Sequence, residues 1–206
     1  YCLSYLDSTI FSILIKTDFQ GDTIFTKSFE GILPFIGDGV GLANKSFQQT
    51  YDNGYISLLN HYLDTLTFSI NSFSVIKSNM LADTVWVKTF TDSSLMCQNI
   101  QQTVDSGYIV SAIIDRNPGA GSGDAYPYLI KLNKIGDTLW TKDYSWLWTR
   151  SVRVEETSSG DYILACVVWE PSSQFSEDEN AYLIKIDSQG DTLWSKNILD
   201  LSSANL

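Results

Sequence analysis

The feature that most restricts what this chain can fold into is repetition. The stretch Tyr182-Leu-Ile-Lys-Ile-Asp-Ser-Gln-Gly-Asp-Thr-Leu-Trp-Ser-Lys-Asn-Ile198 recurs at Tyr128–Tyr144, Ser74–Phe90 and Ile13–Phe29. Within it, apolar Leu183, Ile184 and Ile186, then Leu193 and Trp194, flank Ser188-Gln189-Gly190, the pattern of two strands joined by a tight turn. Such a turn closes on a left-handed residue, and Gly21, Gly136 and Gly190 hold that place. The second copy has Ala82 there, at a cost of about 1 kcal/mol if the geometry is kept. Asp18, Asn79, Asn133 and Asp187 stand where a side-chain oxygen can cap the turn backbone.

A second anchor precedes three of the copies, at Gln48–Tyr55, Gln101–Tyr108 and Glu155–Tyr162, and each runs on into an apolar strand. Tyr1, Tyr55, Tyr108 and Tyr162 are spaced by 54, 53 and 54 residues, so Tyr1 is in register and the sequence enters at the second strand of a repeat. A full repeat then has four short antiparallel strands, the mark of a propeller blade. The expected fold class is all-β, a β-propeller of four-stranded antiparallel blades. Residues 1–29 form a partial blade, 46–90, 97–144 and 151–198 form blades, and 199–206 start the next. The strand that would close a ring is missing from the sequence, so a partial propeller or a fragment of a larger one is expected, with open strand edges available for association. Glu30–Lys45, Asp115–Asp124 and Glu170–Asn180 read as long loops, where a regular scaffold places a binding site.

Charge narrows the partners. With 13 Lys and Arg against 24 Asp and Glu, the net charge of -11 repels nucleic acid and anionic membranes, and neither is expected. No stretch approaches the roughly 18 apolar residues of a spanning helix. No signal peptide is read, which in a sequence without an initiating Met is compatible with one that was cleaved or lies upstream. Cys2, Cys97 and Cys166 lie in or beside apolar strands and read as buried free thiols rather than as a disulfide or a reactive thiol.

Few residues are left for chemistry. The acids of the Gly-Asp-Thr turns after Gly21, Gly136 and Gly190 suggest a ring of calcium sites or, more simply, turn caps, and each turn offers too few oxygens for a hard cation. Trp86, Trp140 and Trp194, with Phe25, recur at one repeat position and read as core or blade-interface residues. Trp146, Trp148 and Trp169 break the repeat, and with the nearby acids Glu177, Asp178 and Glu179 they are the candidate ligand-binding residues, able to stack on a sugar. Glu155 and Glu156 replace the Gln pair of other copies, which reads as drift. A glycosidase pair drawn from these acids is the rival to a solvated face. Gly37–Gly41 and Gly119–Gly123 lack the strand-to-helix setting and the Lys-Ser/Thr of a phosphate loop. His61 is the one histidine and has no nucleophile-elbow motif near it, so no catalytic residue is assigned. A metal site built on several His or Cys ligands is excluded by count, and no cofactor is expected.

The pairing of S/Q-x-Q-x-T-x-D-G-G-Y-I with Y-L-I-K-x-D-x-x-G-D-T-L-W-x-K, carried by Gln101–Tyr108 with Tyr128–Lys142 and by Glu155–Tyr162 with Tyr182–Lys196, resembles the propeller-like repeats of large secreted proteins of the Bacteroidota. Those proteins often end in a type IX secretion sorting domain, which these residues lack. The resemblance covers nearly the whole chain and implies an extracellular or cell-surface scaffold or adhesion module without shared chemistry. A looser likeness is to quinoprotein propellers, whose blades carry D-x3-G-x3-W. Asp187, Gly190 and Trp194 keep the Gly-to-Trp spacing with the turn one residue shorter, and the likeness implies a blade-to-blade packing role for the Trp. The expected function is thus a non-catalytic scaffold or binding module with a protein or glycan partner. The alternatives are a carbohydrate-active propeller enzyme or glycan-binding domain, and a self-assembling structural protein.

Overall fold

The computed structural model describes residues 3–6, 9–30, 47–64, 69–92, 94–116, 125–173 and 176–198. Cys2, the Gly37–Gly41 and Gly119–Gly123 segments and residues 199–206 lie outside these, as do the side chains of Trp169, Glu177, Asp178 and Glu179. The described residues hold strands and no helix, and thus no helix long and apolar enough to cross a membrane.

Two compact units divide the chain, Tyr1–Ser93 and Ser94–Leu206. The first holds a three-stranded sheet, β1 (Leu3–Leu6), β2 (Thr9–Thr17) and β3 (Thr23–Glu30), and a four-stranded sheet, β4 (Phe47–Gln49), β5 (Tyr55–Asp64), β6 (Ser69–Ser78) and β7 (Thr84–Phe90). The second holds β8 (Leu95–Gln102), β9 (Tyr108–Asp115), β10 (Ala125–Leu132) and β11 (Thr138–Asp143), then β12 (Thr149–Glu156), β13 (Tyr162–Ser173), β14 (Ser176–Ile186) and β15 (Thr192–Asn197). Every sheet is an antiparallel meander in chain order, which is the build of a propeller blade.

The turns explain the repeated motif. Gly21, Gly136 and Gly190 have φ of 90°, 84° and 84°, and Ala82 takes the same left-handed conformation at 61°. Ala82 is buried beside Leu14 and Tyr55, so the covered methyl offsets part of the backbone cost. In all four turns the Asx oxygen caps two backbone N–H groups. Asp18 Oδ1 accepts from Gln20 and Asp22, and Asp187 Oδ1 from Gln189 and Asp191, each at 2.9 Å. Asn79 and Asn133 do the same in the other two. A register shift follows Lys16, Lys77, Lys131 and Lys185, so each hairpin carries its bulge at the same lysine.

Burial grades across the blades of the second unit. Ile109, Val110 and Ala112 on β9 and Leu129 on β10 are fully buried, whereas β11 alternates between exposed and half-buried positions and β15 is exposed throughout. In the second unit β12 packs on β8, β9 and β10, joined by side chains that reach the neighbouring backbone. Val152 N donates to Gln98 Oε1 at 2.8 Å and Glu156 N to Gln101 Oε1 at 2.9 Å, while Ser111 Oγ donates to Val152 O at 3.1 Å. Glu156 Oε2 accepts from Val104 N at 2.7 Å and ties the two blades, a bond that a Gln oxygen at this position could also accept. The Glu170–Asn180 segment also departs from the expected loop. It extends the β13–β14 hairpin through the pairs Glu170↔Asp178 and Pro171↔Glu177 to Ser173↔Ser176. An acidic stretch lacks the apolar alternation that marks a strand in sequence.

Candidate functional site

Three constellations account for the polar and aromatic residues that the repeat singles out. The first joins neighbouring blades. Trp140 meets Tyr162 of the next blade edge-on, with centroids 6.3 Å apart. Phe25 packs against the cluster of Leu14, Tyr55 and Ala82 of its own junction. Two residues beyond each aromatic, a lysine reaches the turn acid of the next blade: Lys27 Nζ lies 2.9 Å from Asp83 Oδ1, and Lys142 Nζ 2.7 Å from Asp191 Oδ1. Two of the turn acids, Asp83 and Asp191, therefore receive a neighbour's ammonium, while the turn caps are Asp18, Asn79, Asn133 and Asp187. Tyr144 completes the junction, its hydroxyl donating to Gly190 O at 3.0 Å, and burial with the nearby acids Asp191 and Asp187 pushes that phenol well above its ordinary range. The lysines of these pairs are only half-buried and the acids are exposed, so Lys142→Ala is expected to lower unfolding stability by no more than about 0.5 kcal/mol in a urea titration.

The second constellation lies inside each blade, under the second anchor. Lys77 and Lys131 are buried, with side chains 7% and 5% exposed, and their ammonium groups meet Asp52 and Asp105 at 2.9 Å. Lys131 also donates to Thr103 Oγ1 at 2.5 Å. Thr50 donates to Asp52 at 2.5 Å, and with Lys77 and the Gly54 N–H it holds the carboxyl down at about 2 against the opposing effect of burial. The last blade solves the same problem differently: Gly160 takes the left-handed turn position, and Asp161 stands where Gly54 and Gly107 stand, pairing with Lys185 at 2.9 Å.

The third is the candidate binding surface. Trp146 and Trp148 lie in the β11–β12 link, 53% and 37% exposed, on either side of buried Leu147. The Leu147 N–H donates to Tyr144 O at 3.0 Å and fixes this turn, while Trp148 Nε1 donates to the Tyr126 hydroxyl at 3.0 Å. Arg116 and Asp143 form an ion pair at the same end of their sheet. Backbone register adds the remaining candidates. Thr149 pairs with Val168, so Trp148 and Trp169 occupy the next step outward on adjacent strands, and Trp169 pairs with Glu179 on β14. Topology thus brings Trp148, Trp169 and Glu179 to one sheet end, with Asp178 and Glu177 farther along the hairpin. Tyr126 is a member of this surface that the sequence did not mark, because as one of several tyrosines in an alternating strand it carries no distinguishing signal.

Other candidates resolve into structure. His61 Nε2 lies 2.8 Å from Ser74 Oγ, which lies 2.8 Å from Thr89 Oγ1. This is a chain across β5, β6 and β7 whose serine is buried and out of a substrate's reach. Cys97 and Cys166 are buried thiols outside any disulfide, and burial pushes the Cys166 thiol up to about 12. Among the described residues no group of three or more His, Cys, Asp or Glu is placed to hold a metal ion.

No family model matches the chain, and no curated protein matches it. Solved structures do. A cobalt-substituted apocarotenoid oxygenase from Synechocystis aligns over 96% of this chain and 48% of its own, at 11% identity and a TM-score of 0.50. A single-residue variant of that protein aligns over the same shares at 12% identity and a TM-score of 0.51. A protein of unknown function from Bacteroides caccae covers 92% of this chain and 77% of its own, at 10% identity and a TM-score of 0.34. The chain spans about half the length of the Synechocystis structures, and at these identities the likeness is one of fold: an all-β chain of propeller-type blades.

Proposed function

We propose that the chain is a non-catalytic scaffold and binding module of the extracellular or cell-surface kind, and that the tryptophan end of its second unit takes a glycan partner. One observation supports this above the others. The repeat's Trp140 is half-buried between blades, whereas Trp146 and Trp148 depart from the repeat and stand exposed at one sheet end, the second held by Tyr126. A rigid, exposed indole is a low-entropy platform for an apolar sugar face. The resemblance to secreted Bacteroidota repeats accords with this location and role. Oxygenase activity belongs to the Synechocystis protein and is not proposed for this chain, since the two share a fold only.

The test is intrinsic tryptophan fluorescence during titration with a panel of soluble oligosaccharides, with products followed chromatographically. A saturable change is expected, weakened about tenfold or more in Trp148→Ala, with no change in the sugar. Released product would replace the scaffold with a carbohydrate-active enzyme, and a panel without any response would remove the glycan.

A further inference from the structure

The blade junction has two halves, and among the described residues one of each is uncovered. The donor half is the aromatic and the lysine two residues later on a blade's outermost strand. Phe25 and Lys27, Trp86 and Lys88, and Trp140 and Lys142 are all half-buried at these positions. On β15 the same two positions are exposed, Trp194 at 38%, and the Lys196 ammonium lies over the ring of its own Trp194 at 5.7 Å from the centroid. The acceptor half is the left-handed turn residue with the acid after it. Ala82, Gly136 and Gly190 are buried. At Gly190 an added Cβ would meet Lys142 Cγ at 2.7 Å and the Trp140 ring at 3.2 Å, so the donor half of the preceding blade fills that space. At Gly21 an added Cβ would meet nothing within 4 Å, and Gly21 and Asp22 are both exposed.

We infer that Trp194 and Lys196 of one chain dock on the Gly21-Asp22 turn of a second copy, repeating between molecules the junction that Trp140 and Lys142 make with Gly190 and Asp191 within one. Two observations support this occupant. The face continues an interface already seen at Phe25–Lys27 and Trp140–Lys142, and the charges are complementary. The contact is heterologous, using a different surface on each partner, and so leaves one donor and one acceptor half at the ends of any open assembly.

Sedimentation velocity of the intact chain over a concentration series tests it. The expected result is a weight-average mass that rises with concentration above that of the monomer. Lys196→Glu and Asp22→Lys should each weaken association about tenfold or more, because each places like charges together, while an equimolar mixture of the two variants should regain it through Glu-to-Lys pairing. All the substituted side chains are exposed, so folding is not at stake, and Trp194→Ala provides an independent loss through packing. A dilution-independent monomer overturns the inference. Association that persists unchanged in Lys196→Glu overturns it as well, since the contact then lies elsewhere. Neither outcome bears on glycan binding, which uses Trp148 at a different place on the unit.

Discussion

Gly107→Ala is expected to lower the unfolding free energy by about 3 kcal/mol, although its φ is not in the left-handed region and a helix or strand would tolerate the change easily. The penalty comes from crowding. A Cβ at Gly107 would land on the carbonyl oxygen of Leu132, a backbone atom held in the β9–β10 ladder, and would stand 3.0 Å from both Lys131 Nζ and Asp105 Oδ1. The backbone cannot retreat without breaking the Tyr108↔Leu132 pairing, and the lysine cannot retreat without leaving its carboxylate. Gly54 is crowded in the same way by Ser78 O and Lys77 Nζ.

The last blade shows how a side chain can be admitted. There the sequence reads Ser159-Gly160-Asp161, with the glycine one place earlier at φ 80° and an acid in the crowded position. Lys185 answers by moving outward, its side chain 28% exposed against 5% for Lys131, and pairs with Asp161 instead of an acid two residues before. The triple change Asp105→Ser, Ser106→Gly, Gly107→Asp transplants this arrangement. It is expected to recover most of what Gly107→Ala loses, because the acid travels with the glycine and the lysine keeps a partner. Urea titration of the three proteins side by side measures both effects, and a triple variant no more stable than Gly107→Ala would show that the two turn types do not interchange.

What was legible in the sequence is what is local in sequence. The hairpin turns, their left-handed residues, the Asx caps and the strand order all follow from contacts a few residues apart, and repetition multiplied each signal. The junction was half legible. Recurrence marked Phe25, Trp86, Trp140 and Trp194 as packing residues, but Lys142 and Asp191 are 49 residues apart and Lys27 and Asp83 are 56 apart, so nothing short of a structure joins them. The turn acids consequently read as caps. Lys131 was hidden for another reason: a lysine between apolar residues of a strand normally points to solvent, and its burial is visible only once Thr103 and Asp105, on the adjacent turn, are seen to meet it. At the candidate binding surface, breaking the repeat marked Trp146 and Trp148. The Tyr126 hydroxyl that orients Trp148 comes from a separate strand, and the extension of β13 and β14 beyond Trp169 is set by register rather than by an apolar pattern.

The buried lysine leads to the second large effect. Asp105→Ala is expected to destabilise the protein by about 2 kcal/mol, below the full cost of stranding a buried charge because the carboxylate is itself half exposed and water can replace part of it. Lys131→Met should cost far less, since it removes the desolvated ammonium together with its need for a partner and leaves an acid that solvent reaches. An interaction that stabilised simply by attraction would make the two losses similar, so the asymmetry separates a charge that requires compensation from a pair that holds the blade together. Acid sharpens the distinction. Burial pushes the Asp105 carboxyl up, but the Thr103 hydroxyl, Lys131 and the Gly107 N–H together hold it below its ordinary 3.8, and Asp52 is held at about 2. A carboxyl whose folded value is depressed contributes stability that is present above its unfolded value and lost as pH falls through the folded one. The parent chain should therefore lose stability between about pH 4 and about pH 2. Asp105→Ala, already without one of these carboxylates, should lose less across that window than the parent chain does. Parallel slopes for the two proteins in acid would mean that Asp105 does not compensate the lysine, and the loss in Asp105→Ala would then have to come from the turn alone.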